Sequence, residues 1–329
     1  MSADDGIHAL AVPTPFAVGR INCYLIEDDP LTLVDCGPNS GTSLTELEAM
    51  LAQHGHRIED LRRIVLTHQH IDHIGLAHII AERSGAEVCA LAALGPWLAG
   101  YGLKVDDDDR YAEAIMLRNG VPADVAIALR AVVGQFHGWG SSVEVTRPLH
   151  EGDRLEFEHR AWRVHHRPGH SPSDLVFHDE ASGALLAGDH LIKRISSNPI
   201  ISRPLEGGDP EDRPRALVTY LASLRATQAM DLAIVLPGHG EPVLDHRRLI
   251  DDRLEAHERR VRKIAGILAA GAPRSGYEVA QEMWGNVAVT QAYLTLSEVL
   301  GHVDLLVERG EVAAVEGAEG GVIRYAPVP

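Results

Sequence analysis

Cysteine and lysine are scarce in this chain, and long apolar runs are missing. Its three cysteines, Cys23, Cys36 and Cys89, are odd in number and form no Cys-x-x-Cys pair. A disulfide framework is thereby excluded, and a reducing, cytoplasmic location is the expectation. No segment approaches the roughly 18 apolar residues of a membrane span. The first residues, Met1 to Gly6, contain no basic stretch leading into an apolar one. A membrane is therefore not an expected partner. Only Lys104, Lys193 and Lys263 are lysines, and no Lys/Arg run offsets a net charge of −17. So acidic a surface repels phosphate backbones, which argues against nucleic acid as a partner.

What is present is ordinary globular composition: 329 residues, 45% apolar and 23% charged. That is enough for one large α/β domain and a smaller appendage. Residues 7–12, 22–26 and 31–35 read as strands, the last two joined by the turn Glu27-Asp28-Asp29-Pro30. Leu44, Leu47 and Leu51 have helical spacing. A strand at 61–66, a helix at 75–84 and a strand at 87–90 follow. Residues 95–145 change character and read as a helical insertion lying over the site. Within it, the acidic run Asp106 to Asp109 precedes a helix at 111–118, and a second helix spans 122–133. Strands return at 155–157, 161–165, 174–178, 184–187 and 232–236. From about residue 250 three helices and a terminal hairpin follow, a winged-helix pattern. The expected division is residues 1–250 and 251–329.

The chemistry concentrates at strand ends. His68, His70 and His73 lie within six residues, with Asp72 beside His73. Imidazole and carboxylate at this spacing suit zinc, iron or manganese. A loop leaving a strand can aim His68 and His70 to one side while Asp72 and His73 serve a neighbouring ion. A catalytic metal needs an open position, so further ligands should come from other elements. His170, Asp189 and His239 qualify, each next to glycine in Pro-Gly-His, Gly-Asp-His and Pro-Gly-His-Gly. Glycine permits the close backbone approach that converging loops require. His190, Lys193, Arg194 and Asn198 follow Asp189 and are candidate substrate contacts. Asp35 reads as support for a ligand or as a simple turn cap.

The order His-x-His-x-Asp-His, Gly-His, Gly-Asp and Pro-Gly-His, after Leu33-Val34-Asp35-Cys36-Gly37, resembles the metallo-β-lactamase superfamily over about residues 7–245. The resemblance implies a four-layer αββα sandwich. It also implies two divalent ions, zinc with iron or manganese as alternatives. His68, His70 and His170 would hold the first, Asp72, His73 and His239 the second, and Asp189 would bridge them. Asp72 and Asp189 would be the catalytic carboxylates around a hydroxide held between the ions. The complete ligand set resembles the glyoxalase II-like branch. The Cys ligand of β-lactam-hydrolysing members has no counterpart. The C-terminal region resembles the lactamase-like subgroup that bears a winged helix.

The leading expectation is hydrolysis of a small or carrier-bound thioester or other ester. An endoribonuclease or phosphodiesterase, a lactonase and a non-enzymatic DNA-binding regulator are the rivals. A homodimer through the insertion or the wing is a further expectation.

Overall fold

A computed structural model describes residues 6–316 and 321–329; residues 1–5 and 317–320 lie outside the described part. Six strands form the first sheet in chain order: β1 (Ile7–Val12), β2 (Ile21–Ile26), β3 (Thr32–Val34), β4 (Arg63–Val65), β5 (Glu87–Leu91) and β6 (Arg147–Leu149). β1 to β3 pair antiparallel, and β3 to β6 run parallel. The second sheet comprises β7 (Arg154–Glu156), β8 (Ala161–His166), β9 (Leu175–Asp179), β10 (Ala184–Gly188) and β11 (Ile234–Pro237), with only β10 and β11 parallel. A small third sheet joins β12 (Arg274–Ser275), β13 (Val312–Glu316) and β14 (Ile323–Pro327).

The sandwich follows from burial on both faces of the second sheet. Along β9 and β10, Leu175, Phe177 and Leu186 enter the core between the sheets, while Val176, Leu185 and Ala187 face the helices outside. Alternation with period two puts successive side chains on opposite faces, so a strand apolar throughout must be covered twice. Helices α1 (Gly41–Gln53), α2 (Ile71–Ile74) and α3 (Ala77–Ser84) accompany the first sheet. The region read as an insertion forms α4 (Gly95–Ala99), α5 (Tyr101–Arg118) and α6 (Ala123–Gly134). α7 (Ala216–Gln228) covers the second sheet, followed by α8 (His246–Ala269), α9 (Gly276–Trp284), α10 (Val287–Thr290) and α11 (Ala292–Glu308).

One local expectation changes, and two further features emerge only in the structure. The acidic run does not precede a helix but lies inside α5, where Trp97 Nε1 donates to Asp108 at 2.8 Å and Arg203 faces Asp107 and Asp108. Those tertiary partners offset the repulsion that the run alone suggests. β6 has no strand-like alternation and forms because it pairs with β5. Residue 250, taken as a division, lies within α8, and α8 packs in one apolar cluster with α5, α7, α9 and α11.

Candidate metal centre

The seven candidate ligands leave the ends of different strands and meet at one edge of the sandwich. β4 delivers His68 to His73, the β8–β9 connection His170, β10 Asp189, and β11 His239. Ile21 and His239 form an antiparallel bridge, and Leu175 N–H donates to Thr67 O at 2.9 Å, so the two sheets are joined beside the site. His70 Nδ1 lies 3.0 Å from His68 Nε2 and 2.9 Å from His170 Nε2. Four-coordinate zinc with bonds of 2.0–2.1 Å holds its ligand atoms ~3.3 Å apart, close to this spacing. On the other side, His239 Nε2 is 3.3 Å from Asp72 Oδ2. Asp189 stands between: Oδ1 is 3.5 Å from His73 Nε2, and Oδ2 is 3.6 Å from both His170 Nε2 and His239 Nε2.

Hydrogen bonds behind the rings set which nitrogen points inward. His73 Nδ1–H donates to Asp35 Oδ2 at 2.7 Å, and His239 Nδ1–H donates to Arg20 O at 2.9 Å. The Thr67 hydroxyl donates to Asp35 Oδ2 at 2.8 Å, so its oxygen receives His68 Nδ1–H at 3.0 Å. In each case a proton on Nδ1 leaves the Nε2 lone pair facing the centre. His73 Nε2, His239 Nε2 and Asp189 Oδ1 are buried and lack a hydrogen-bond partner within the protein. Buried polar atoms are ordinarily paired, and converging lone pairs call for a cation. The residues therefore fit a pair of divalent ions.

Charge points the same way. Burial works against charge on Asp72 and Asp189, but the His73 and His239 rings facing them hold both carboxyls below the usual carboxylate range. Burial also opposes charge on His73, yet Asp35, Asp189 and Asp72 outweigh it and favour positive charge at that ring. Burial and the His170 ring push His70 down to about 3.

Glycine is required where the loops touch. A Cβ on Gly238 would run into Asp189 Oδ1 and sit 2.8 Å from His73 Cε1. Gly188, at φ +47°, would place a Cβ 2.8 Å from Thr67 Oγ1. Asp35 is the one non-glycine residue at positive φ among the described residues, at +57°. An aspartate tolerates that region better than most residues, and its carboxylate holds both Thr67 and His73.

The substrate candidates fare differently. His190 is fully buried, with Nε2 2.8 Å from Thr227 Oγ1. The chain reverses direction after Asp189, so adjacent side chains diverge. Lys193 and Arg194 are exposed and both pair with Glu241, two residues beyond His239. Asn198 is half-buried on the same loop. His137 meets Asp109 of α5 at 3.0 Å, and Trp139 O accepts from Asn39 N–H at 2.7 Å. Sequence reasoning missed Thr67, the Arg20 carbonyl, and Ser197, whose hydroxyl donates to Asp189 O. Thr67 had a signal in its place directly before His68; the other two had none.

A sequence model of the family described as the Metallo-beta-lactamase superfamily matches residues 17–239. The chain is 34% identical to the probable metallo-hydrolase YqjP of Bacillus subtilis strain 168, covering 99% of this chain and 98% of that one. Among solved structures, a beta-lactamase domain protein from Burkholderia ambifaria superposes with a TM-score of 0.82 at 29% identity, over 100% of this chain and 94% of that one. A metallo-beta-lactamase family protein from Thermus thermophilus gives 0.81 at 25% identity, over 98% and 99%. A partial match is 25% identical over 122 residues, 37% of this chain and 25% of the other, to a protein of Aspergillus fumigatus named atrochrysone carboxyl ACP thioesterase.

Proposed function

The chain belongs to the metallo-beta-lactamase superfamily and is a metal-dependent hydrolase, and from that premise we propose that it uses two divalent cations, zinc foremost, to hydrolyse a thioester or other small ester. His68, His70 and His170 would hold one ion and Asp72, His73 and His239 the other, with Asp189 serving both. Bound there, the ions would supply a water activated at neutral pH and an electrophile for the carbonyl oxygen. The observation that carries this reading is the position of Asp189 Oδ2, equidistant at 3.6 Å from one imidazole of each set.

The chain's own groups have separable tasks. Asp72 engages His239 through Oδ2, which leaves Oδ1 to orient the attacking water and take up its proton. Asp35 keeps His73 in the Nδ1–H tautomer. Arg253, on α8, donates to the carbonyls of Ile192 and Lys193 at 3.2 and 3.1 Å and so steadies the loop after Asp189. An ester fits better than a nucleic acid, given the net charge of −17. The Aspergillus relative's name supports an acyl thioester as the substrate class.

The test offers metal-loaded protein a panel of acyl-thioesters, lactones and phosphodiesters while elemental analysis counts bound metal. At least two equivalents and thioester turnover are expected, with Asp72→Ala slower by about a hundredfold or more, the scale of losing one preorganised catalytic group. Turnover confined to phosphodiesters would assign the site to nuclease chemistry instead.

A further inference from the structure

Far from this centre, at the opposite end of β2, a second group of donors converges on the protein's flank. His8 Nε2 lies 2.7 Å from Glu27 Oε2, and His56 Nε2 lies 3.2 Å from Glu27 Oε1. The rings of His8 and His54 lie with centroids 4.1 Å apart and planes tilted by 34°, and one ligand atom from each of His8, Glu27 and His54 falls within 4.8 Å of the others. All four residues are outside the apolar core; His8, His54 and His56 are half-buried and Glu27 is exposed. Water can therefore complete a coordination shell.

The backbone holds these donors in place. β1 is the edge strand of its sheet, and His8 pairs with Leu25 of β2. Glu27 N–H donates to Gly6 O at 2.8 Å, which extends that ladder and sets Glu27 diagonal to His8 on the same face. His54 ends α1, and the N–H groups of His54 and His56 both donate to Leu51 O at 3.0 Å. One turn thus presents two imidazoles to the strand pair. Glu27 lies six residue steps along the chain from Ile21, the bridge partner of His239, which is about 20 Å along an extended strand. The two groups share no donor.

We propose that His8, Glu27 and His54 form a separate surface site for a first-row divalent cation, with two imidazoles and one carboxylate as ligands and His56 steadying the Glu27 carboxylate. That donor set suits zinc, nickel or copper, with water in the remaining position of a tetrahedral zinc shell. A bound ion would tie the exposed edge strand β1 to the end of α1, and edge strands are otherwise prone to unwanted pairing.

Zinc(II) alone is the probe, with full-length protein taken to equilibrium dialysis at pH 7.5 and its metal counted. The unaltered chain is expected to hold one more equivalent than the His8→Gln/His54→Gln double variant. Both side chains are partly exposed, so the variant folds, and its metal-free melting temperature serves as the control. The same difference of one equivalent is expected in a His70→Ala/His170→Ala background, which separates this site from the catalytic pair. Visible absorption from imidazole-bound cobalt(II) in that background should fall when His8 and His54 are replaced. Equal zinc content with and without His8 and His54, in either background, overturns the proposal.

Discussion

At the scale of single residues, the centre is set as much by what stands behind the ligands as by the ligands. Asp35 accepts from Thr67 N–H at 2.9 Å, from the Thr67 hydroxyl, and from His73 Nδ1–H. Replacing it with Asn removes a buried negative charge and puts a competing N–H group opposite His73. Asp35→Asn should weaken metal binding about 10–100-fold, the usual scale for a group that orients a metal-binding imidazole; competition with a chromophoric chelator measures it. Gly238→Ala should cost the chain much of its metal content while the far-ultraviolet dichroism is kept, because the added methyl collides with Asp189 and His73 rather than with the core. The seven candidate donors stood out in the sequence because each stands in a short, chemically distinctive string. His190 was not, since the direction of its side chain depends on Thr227, 37 residues away in the chain.

Among the elements, α8 and α11 meet through an unusual polar pair. His302 Nδ1–H donates to Glu298 O at 2.6 Å, which leaves His302 Nε2 to accept from His257 Nδ1–H at 3.1 Å. Both rings are buried, and Arg260 pairs with Glu298 beside them. Burial, with the Arg260 charge next, pushes His257 down to about 4; burial and the His257 ring push His302 down to about 2. The unfolded chain protonates these rings near pH 6.5, so the unfolded state binds more protons below that pH. Stability contributed by neutral His257 and His302 is complete above pH ~6.5 and falls as the pH drops toward 4. Replacing His302 with Asn should flatten that slope by up to one proton, about 1.4 kcal/mol per pH unit. Urea denaturation between pH 7 and 4.5 reads it. Helix α5 teaches the converse lesson. Four consecutive aspartates look like a helix boundary in sequence, and the helix continues through them because Trp97, Arg203 and His137 take up their charge.

At the scale of the whole molecule, the loop after Asp189 is gripped by elements distant in sequence. Arg253 of α8 holds residues 192 and 193, Ser297 of α11 receives Ile201 N–H at 3.3 Å, and Arg203 reaches the acids of α5. The C-terminal helices share their apolar cluster with α5 and α7. Arg213, just before α7, makes two 2.7 Å bonds to Asp304 of α11. Calorimetry of the full chain should therefore show one cooperative unfolding transition, not separate ones for residues 1–250 and 251–329. α11 lies so close to α7 that a Cβ on Gly301 would fall 2.7 Å from Leu217 Cβ. Gly301→Ala should destabilise by about 1–3 kcal/mol through overpacking, although the same change in an exposed helix stabilises by up to ~1 kcal/mol; chemical denaturation gives the sign. No helix among the described residues is long and apolar enough to cross a membrane.

The sequence by itself determined which side chains are candidates for the chemistry and which strand ends bear them, because donor identity and local periodicity are properties of neighbouring residues. It also determined the acidic charge and the absence of long apolar runs. Only the tertiary structure decided that His170 and His239 approach Asp189 from opposite sides, that Asp35 and Thr67 orient the rings, and that His190 turns inward. It alone decided that His8, Glu27, His54 and His56 meet. The reason is physical: a side chain's direction at a loop is set by contacts between segments far apart in the chain, and those contacts form only when the two sheets and their helices pack together.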